Sequence, residues 1–141
     1  MLSAVVAATK GFARRLAGMG QKCDALVLLV DDDDVVRRTA AHSLQRLGYQ
    51  VVQADDGAAA LEILQRGEYA VDLVLSDVRM PRLTGPELAH IVSHRWPNLP
   101  VLLTSGHART GDFAERGRVL QVLPKPYSRA QLADAVAAVL S

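Results

Sequence analysis

The chain has 141 residues, half of them hydrophobic, which suffices for one domain with its own core and is too short for two. Its 16 basic and 15 acidic residues give a formal charge of +1, so charge offers no argument for nucleic acid as a partner. A single cysteine, Cys23, excludes an internal disulfide framework, and no apolar run reaches the length of a membrane span or has the order of a secretory signal, so a cytoplasmic protein is expected.

Residues 1–24 form a basic extension, with Lys10, Arg14, Arg15 and Lys22 against the one acid Asp24. Leu2, Val5, Val6, Phe12, Leu16 and Met19 recur at roughly helical spacing, while Gly11 and Gly18 weaken a helix. Three readings stay open here: an amphipathic helix for a partner or membrane surface, a poorly ordered tail, or an over-long start with Met19 as the natural initiator.

From residue 25 the pattern alternates between strand and helix. Strands are predicted at 25–30, 49–54, 71–76, 99–104 and 119–123. Helices are predicted at 34–47, 58–66, 86–95, 107–116 and 128–140. The first helix carries Val36, Ala40, Leu44 and Leu47 on one stripe, with Asp34 as its N-cap, Asp33 as a first-turn charge and Gly48 as its stop. Asp55 or Asp56 caps the second helix, and Gly67 ends it. Trp96-Pro97 closes the third, and Gly111 interrupts the fourth. The fifth opens with a capping box, Ser128 to Gln131. Several strands are continuous aliphatic runs, which implies burial on both faces and a parallel sheet between two helical layers. The expected fold is a flavodoxin-like (βα)5 three-layer α/β sandwich with strand order 2-1-3-4-5, formed by residues 25–141.

Ligands of such sheets bind beyond the carboxyl ends of the strands. Asp31 and Asp32 follow the first strand, Asp77 the third, Ser105 the fourth and Lys125 the fifth. Three carboxylates crowded on one edge call for a hard divalent cation, and Mg²⁺ keeps places open for phosphate oxygens. An aspartate beside that ion can attack phosphorus, while a lysine and a hydroxyl hold the remaining phosphoryl oxygens. Each group alone has an ordinary structural explanation; their joint placement at four strand ends is harder to dismiss.

At these residues the sequence resembles the receiver domain of two-component response regulators. The resemblance rests on "LVLLVDDDDVVRR" (26–38), "DLVLSDVRMPRLTGPEL" (72–88), "VLLTSGHA" (101–108) and "LPKPYS" (123–128). The stretches "TGPEL" and "LLTSGHA" look most like receivers of hybrid histidine kinases and their stand-alone relatives. The resemblance implies Asp77 as phosphoryl acceptor and Asp32 as a direct Mg²⁺ ligand. Asp31 acts through water and the backbone carbonyl of Arg79 is a further ligand. Ser105 is the switch hydroxyl, in preference to Thr104, and Lys125 is the conserved lysine, before a frequently cis Pro126. It implies a histidine kinase or histidine phosphotransfer protein as phosphoryl donor, docking around Val35, Thr39 and His42. Output passes through the face of the fourth helix, fifth strand and fifth helix to a downstream target protein. With the chain ending at Ser141 and no helix-turn-helix in view, a single-domain regulator that signals by protein contact is expected.

Two features depart from the family pattern. Val122 stands where an aromatic ring usually swings inward on activation, and the fourth helix is short and broken by glycine. Arg79 and His107 occupy positions that tune phosphoryl lifetime. A receiver that binds a partner without phosphorylation is therefore the alternative reading. A haloacid-dehalogenase-type phosphatase would need a second aspartate two residues after Asp77, where Arg79 stands. Flavin binding would need a phosphate loop where four aspartates lie, so a signalling phosphoacceptor rather than a turnover enzyme is expected. The alanines of the last helix, Ala130, Ala133, Ala137 and Ala138, are expected to allow tight packing on the sheet rather than close approach of a partner.

Overall fold

The computed structural model describes residues 24–106 and 121–141. The leader helix, the helix predicted at 107–116, the start of the fifth strand at Val119, and His107 lie outside the described residues. The elements run β1 (Leu26–Val30), α1 (Asp34–Arg46), β2 (Gln50–Ala54), α2 (Gly57–Arg66), β3 (Leu73–Asp77), α3 (Gly85–Arg95), β4 (Val101–Ser105), β5 (Gln121–Pro124) and α4 (Arg129–Leu140). The five strands form one parallel sheet in the order β2-β1-β3-β4-β5, the flavodoxin-like arrangement.

The aliphatic run of β1 sits in the middle of this sheet because successive side chains point to opposite faces and both faces are covered. Leu26, Leu28 and Val30 join one core cluster with Ala60 and Leu64 of α2 and Leu88 and Val92 of α3. Val27 and Leu29 join the other, with Ala40, Ala41 and Leu44 of α1 and Leu132 and Val136 of α4. Two helices therefore flank each face among the described residues. Asp72 sews β3 to β1 at its start: its carboxylate accepts from the Leu26 N–H at 2.8 Å, and its own N–H donates to the Leu26 carbonyl at 2.8 Å.

The helix ends reflect local chemistry. Asp33 is the N-cap of α1, accepting from the N–H groups of Val35 and Val36 at 3.0 and 3.1 Å. This corrects the expectation of Asp34 in that place. Asp33 has extended backbone angles suited to a cap, and Asp34 is instead the first helical residue, its negative charge facing the positive end of the helix dipole. Asp56 caps α2 by accepting from Ala59 N–H at 2.7 Å, and Gly67, with φ 66°, ends it in the left-handed conformation. Helix α3 begins one residue before the predicted Pro86. Thr84 and Glu87 form a capping box around it. Ser128 and Gln131 form the expected box of α4. Strands β3 and β4 begin two residues later than predicted and end one residue later, and β5 ends one residue later, at Pro124. The alanines of α4 are corrected too: Ala130, Ala137 and Ala138 are exposed and Ala133 is only half-buried, while Leu132 and Val136 make the contact with the sheet.

Arg82, in the loop from β3 to α3, has φ 70°, a conformation that costs a residue with a side chain roughly 1 kcal/mol. Its compensating contact is a 3.7 Å ion pair with Asp56 from a side chain 84% exposed, which contributes little. Arg82→Asn is therefore expected to stabilise the fold by about 0.5 kcal/mol, because asparagine tolerates this region better. Urea unfolding checks it, through a higher midpoint at unchanged m value.

Candidate functional site

The register of the sheet builds the site. Val30 lies beside Ser76, Asp77 beside Thr104, and Ser105 beside Pro124. The first residue past β1, β3 and β5 is then tied to a neighbouring strand. Asp31 N–H donates to the Ala54 carbonyl at 3.2 Å, Val78 N–H to Thr104 at 2.9 Å, and Lys125 N–H to Ser105 at 2.9 Å. Asp31, Asp77, Ser105 and Lys125 thus leave a rigid sheet on one edge at fixed spacing.

Their side chains converge. Asp31, Asp32 and Asp77 each offer one carboxylate oxygen, and the three atoms lie within 4.8 Å of one another. The Lys125 ammonium is 3.4 Å from Asp31 Oδ2 and 3.4 Å from Asp77 Oδ1. Asp31 is buried and Asp32 exposed, so the cluster is seated at one end and open to solvent at the other. The four aspartates divide into distinct tasks. Asp31 and Asp32 face the cluster, Asp33 caps α1, and Asp34 pairs with Arg37 at 2.8 Å.

The electrostatics arise from this crowding. Burial raises the pKa of Asp77, and the nearby Asp31 carboxylate adds to that, against the opposing pull of Lys125. For Lys125, burial alone would lower the pKa. The Asp31 and Asp77 carboxylates more than offset it, so the ammonium is held above its ordinary value and stays charged. Three carboxylates against one ammonium leave two negative charges uncompensated, the charge of one divalent cation. Hard oxygen donors at this spacing suit a hard divalent cation such as Mg²⁺.

Of the residues predicted from sequence, Asp31, Asp32, Asp77 and Lys125 come together directly. Ser105 is buried at the same edge, with its carbonyl holding the Lys125 N–H. Arg79 is exposed in the loop two residues past Asp77. The Lys125–Pro126 bond is cis. Val122 is half-buried on β5, and His107 lies outside the described residues. Val35, Thr39 and His42 are all exposed on α1, and Val35, at 75%, is the one large hydrophobic side chain so exposed among the described residues.

Two residues escaped the sequence reading. Arg37 reaches back from α1 to the Asp31 carbonyl, at 2.9 Å. Its signal was the spacing of three from Asp34. Tyr127 packs against the core under α1 and α4. Burial raises its pKa, Lys125 opposes this, and Asp31 and Asp77 reinforce it, so the phenol lies within the field of the site. Its signal was an aromatic residue directly after the Lys-Pro pair.

Known proteins resemble this chain in sequence and fold. The sequence matches the response regulator receiver domain over residues 27–137. It is 40% identical over 115 residues to the sensor kinase CckA of Brucella abortus, covering 79% of this chain and 12% of that protein. It is 32% identical over 112 residues to the response regulator receiver protein CpdR of the same organism, covering 78% of this chain and 92% of CpdR. The chain therefore spans a small fraction of the kinase's length and nearly all of CpdR's. The structure resembles that of the response regulator protein TrrA of Thermotoga maritima in complex with Mg²⁺ and BeF, with a TM-score of 0.72 at 25% identity, covering 82% of this chain and 99% of that one. No helix among the described residues is long and apolar enough to cross a membrane.

Proposed function

The chain belongs to the response regulator receiver domain family of two-component systems, and on that premise we propose that it is a cytoplasmic single-domain response regulator. In this reading it accepts a phosphoryl group on Asp77 from a phosphohistidine of a kinase or phosphotransfer protein and signals by protein contact. The observation that carries the reading is the convergence of three carboxylate oxygens within 4.8 Å, with Lys125 at 3.4 Å from two of them. CpdR, 92% of which the chain covers, is itself a response regulator receiver protein.

Asp32, Asp77 and the Arg79 carbonyl, with Asp31 through water, would hold Mg²⁺, which would supply charge neutralisation for the phosphoryl oxygens. An Asp77 oxygen forms the new bond to phosphorus as the phosphorus–nitrogen bond to the donor histidine breaks, and the imidazole leaves with the bonding pair. Lys125, held charged, pairs with a phosphoryl oxygen once Asp77 carries the acyl phosphate. Ser105 donates its hydroxyl to another, biasing the helix and strand beyond it. The exposed patch Val35, Thr39 and His42 beside the site is the docking surface for the donor. The reaction turns over no external substrate beyond slow hydrolysis of the acyl phosphate, so the protein acts as a switch and not as a metabolic enzyme.

Intact mass after incubation with acetyl phosphate tests this. One phosphoryl adduct is expected with Mg²⁺ and none after chelation of the ion. No adduct with acetyl phosphate and none with phosphoramidate would overturn the reading. The partner-binding receiver that works without phosphorylation draws its support from Val122, which brings no ring to bury. It predicts an adduct that leaves affinity for every bound partner unchanged.

A further inference from the structure

The metal-facing aspartates sit on a loop that like charges would splay apart. Asp31 to Asp34 are consecutive, and of the two that face the cluster only Asp31 is anchored through its own side chain. Asp31 Oδ1 accepts the Asp33 N–H at 2.9 Å, and Oδ2 faces Lys125. Asp32 is exposed, and no hydrogen bond holds its side chain among the described residues. Its direction depends on the peptide joining it to Asp31.

Among the described residues that peptide has one side-chain anchor. Arg37, with its side chain only 12% exposed, spreads its guanidinium over three elements. Nη1 donates to the Asp31 carbonyl at 2.9 Å, Nε to Gln53 Oε1 on β2 at 3.1 Å, and Nη2 to Asp34 Oδ1 at 2.8 Å. The planar fork fixes the Asp31–Asp32 peptide relative to β2, and its charge offsets Asp34, the neighbour that would otherwise repel the loop.

We infer that Arg37 is a positioning residue for the divalent-cation site: it orients the peptide carrying Asp32 and so preorganises the loop for Mg²⁺, without touching the reacting atoms. The inference rests on the receiver reading of the site. Groups that hold metal ligands from behind change metal affinity by about 10- to 100-fold when removed. Preorganisation of this kind acts on affinity for the ion, not on chemistry once the ion is bound.

Calorimetric titration with MgCl₂ of the full chain and of Arg37→Gln, alongside acetyl phosphate labelling over a range of Mg²⁺, separates the two effects. Arg37→Gln should bind Mg²⁺ at least about tenfold more weakly. Its labelling rate at saturating Mg²⁺ should stay within about twofold of wild type. Arg37→Lys, which can reach only one of the three acceptors, should fall between. Should Arg37→Gln fail to fold, Gln53→Ala decides. It removes one anchor of the fork from outside the loop and should weaken Mg²⁺ about threefold. Unchanged Mg²⁺ affinity in the folded variants would overturn the inference, as would a fallen saturating rate with unchanged half-saturation. If wild type binds Mg²⁺ and the variants match it, this inference alone fails. If wild type binds no Mg²⁺, the receiver reading falls with it.

Discussion

Asp77→Ala should take up no phosphoryl label from acetyl phosphate, a loss of at least about a thousandfold in rate. Asp31 cannot substitute, because its carboxylate is occupied by the Asp33 N–H and by Lys125. Asp32 is exposed at the open end of the cluster and follows β1 by two residues, so the sheet does not hold it as it holds Asp77. Label found on the alanine variant would move the acceptor to one of these two and overturn the assignment. The conservative Asp77→Asn protein should show a second effect with a definite sign. Burial, reinforced by Asp31, raises the folded-state pKa of Asp77 above its unfolded value. The stability this group contributes is complete below the unfolded value and is lost as pH rises through the folded one. At neutral pH and without Mg²⁺, ionised Asp77 thus burdens the fold. Asp77→Asn should melt a few degrees higher than wild type there, with the difference shrinking as pH falls through the raised pKa. Saturating Mg²⁺ should narrow the gap at neutral pH, since a tenfold excess over Kd stabilises wild type by about 1.4 kcal/mol. Thermal melts of both proteins across pH, with and without Mg²⁺, check the sign.

The sheet was legible because its signals are redundant. Leu26, Leu28 and Val30 face one core and Val27 and Leu29 the other, so the unbroken aliphatic run announced a strand covered on both sides. The order β2-β1-β3-β4-β5 was then set by handed crossovers. The site was legible for a related reason: in a parallel sheet, the residues just past every strand lie together at one edge in space. The receiver resemblance, and its likeness to hybrid-kinase receivers, accords with the match to CckA. What escaped was set by tertiary geometry. Four identical aspartates carry no label saying which one caps, and the choice of Asp33 over Asp34 is decided by backbone angles at one residue. Arg37 looked like any helix-surface base until β2 came alongside with Gln53. The α4 alanines face solvent because Leu132 and Val136, four apart, already fill the contact stripe.

Gly85→Ala should destabilise the protein by about 3 kcal/mol and cripple phosphoryl uptake at the same time. Gly85 opens α3, and its N–H donates to the Val78 carbonyl at 2.9 Å, folding the loop back against the residues just after Asp77. Its backbone angles are ordinary, so conformational freedom is not what requires glycine here. The space is: a Cβ would collide with the backbone carbonyl oxygen of Asp77 and lie 3.0 Å from both Val78 Cα and Leu103 Cδ2. Backbone of β3 cannot yield without breaking its ladder to β1 and β4, whereas Leu103 is fully buried and has nowhere to go. The strain therefore reaches Asp77 itself, within the 3.4 Å pairing with Lys125. Gly57 provides the contrast. A Cβ there would meet the Leu83 side chain, with Cδ2 at 2.6 Å and Cβ and Cγ at 3.0 Å; the end of this half-buried leucine can rotate away, and its Cβ need give only a few tenths of an ångström. Gly57→Ala should therefore cost less than about 1 kcal/mol and leave labelling intact. Urea unfolding of the two variants beside labelling with acetyl phosphate gives the comparison. Equal effects at the two glycines would mean that the close approach of α3 to the Asp77 carbonyl does not constrain the acceptor.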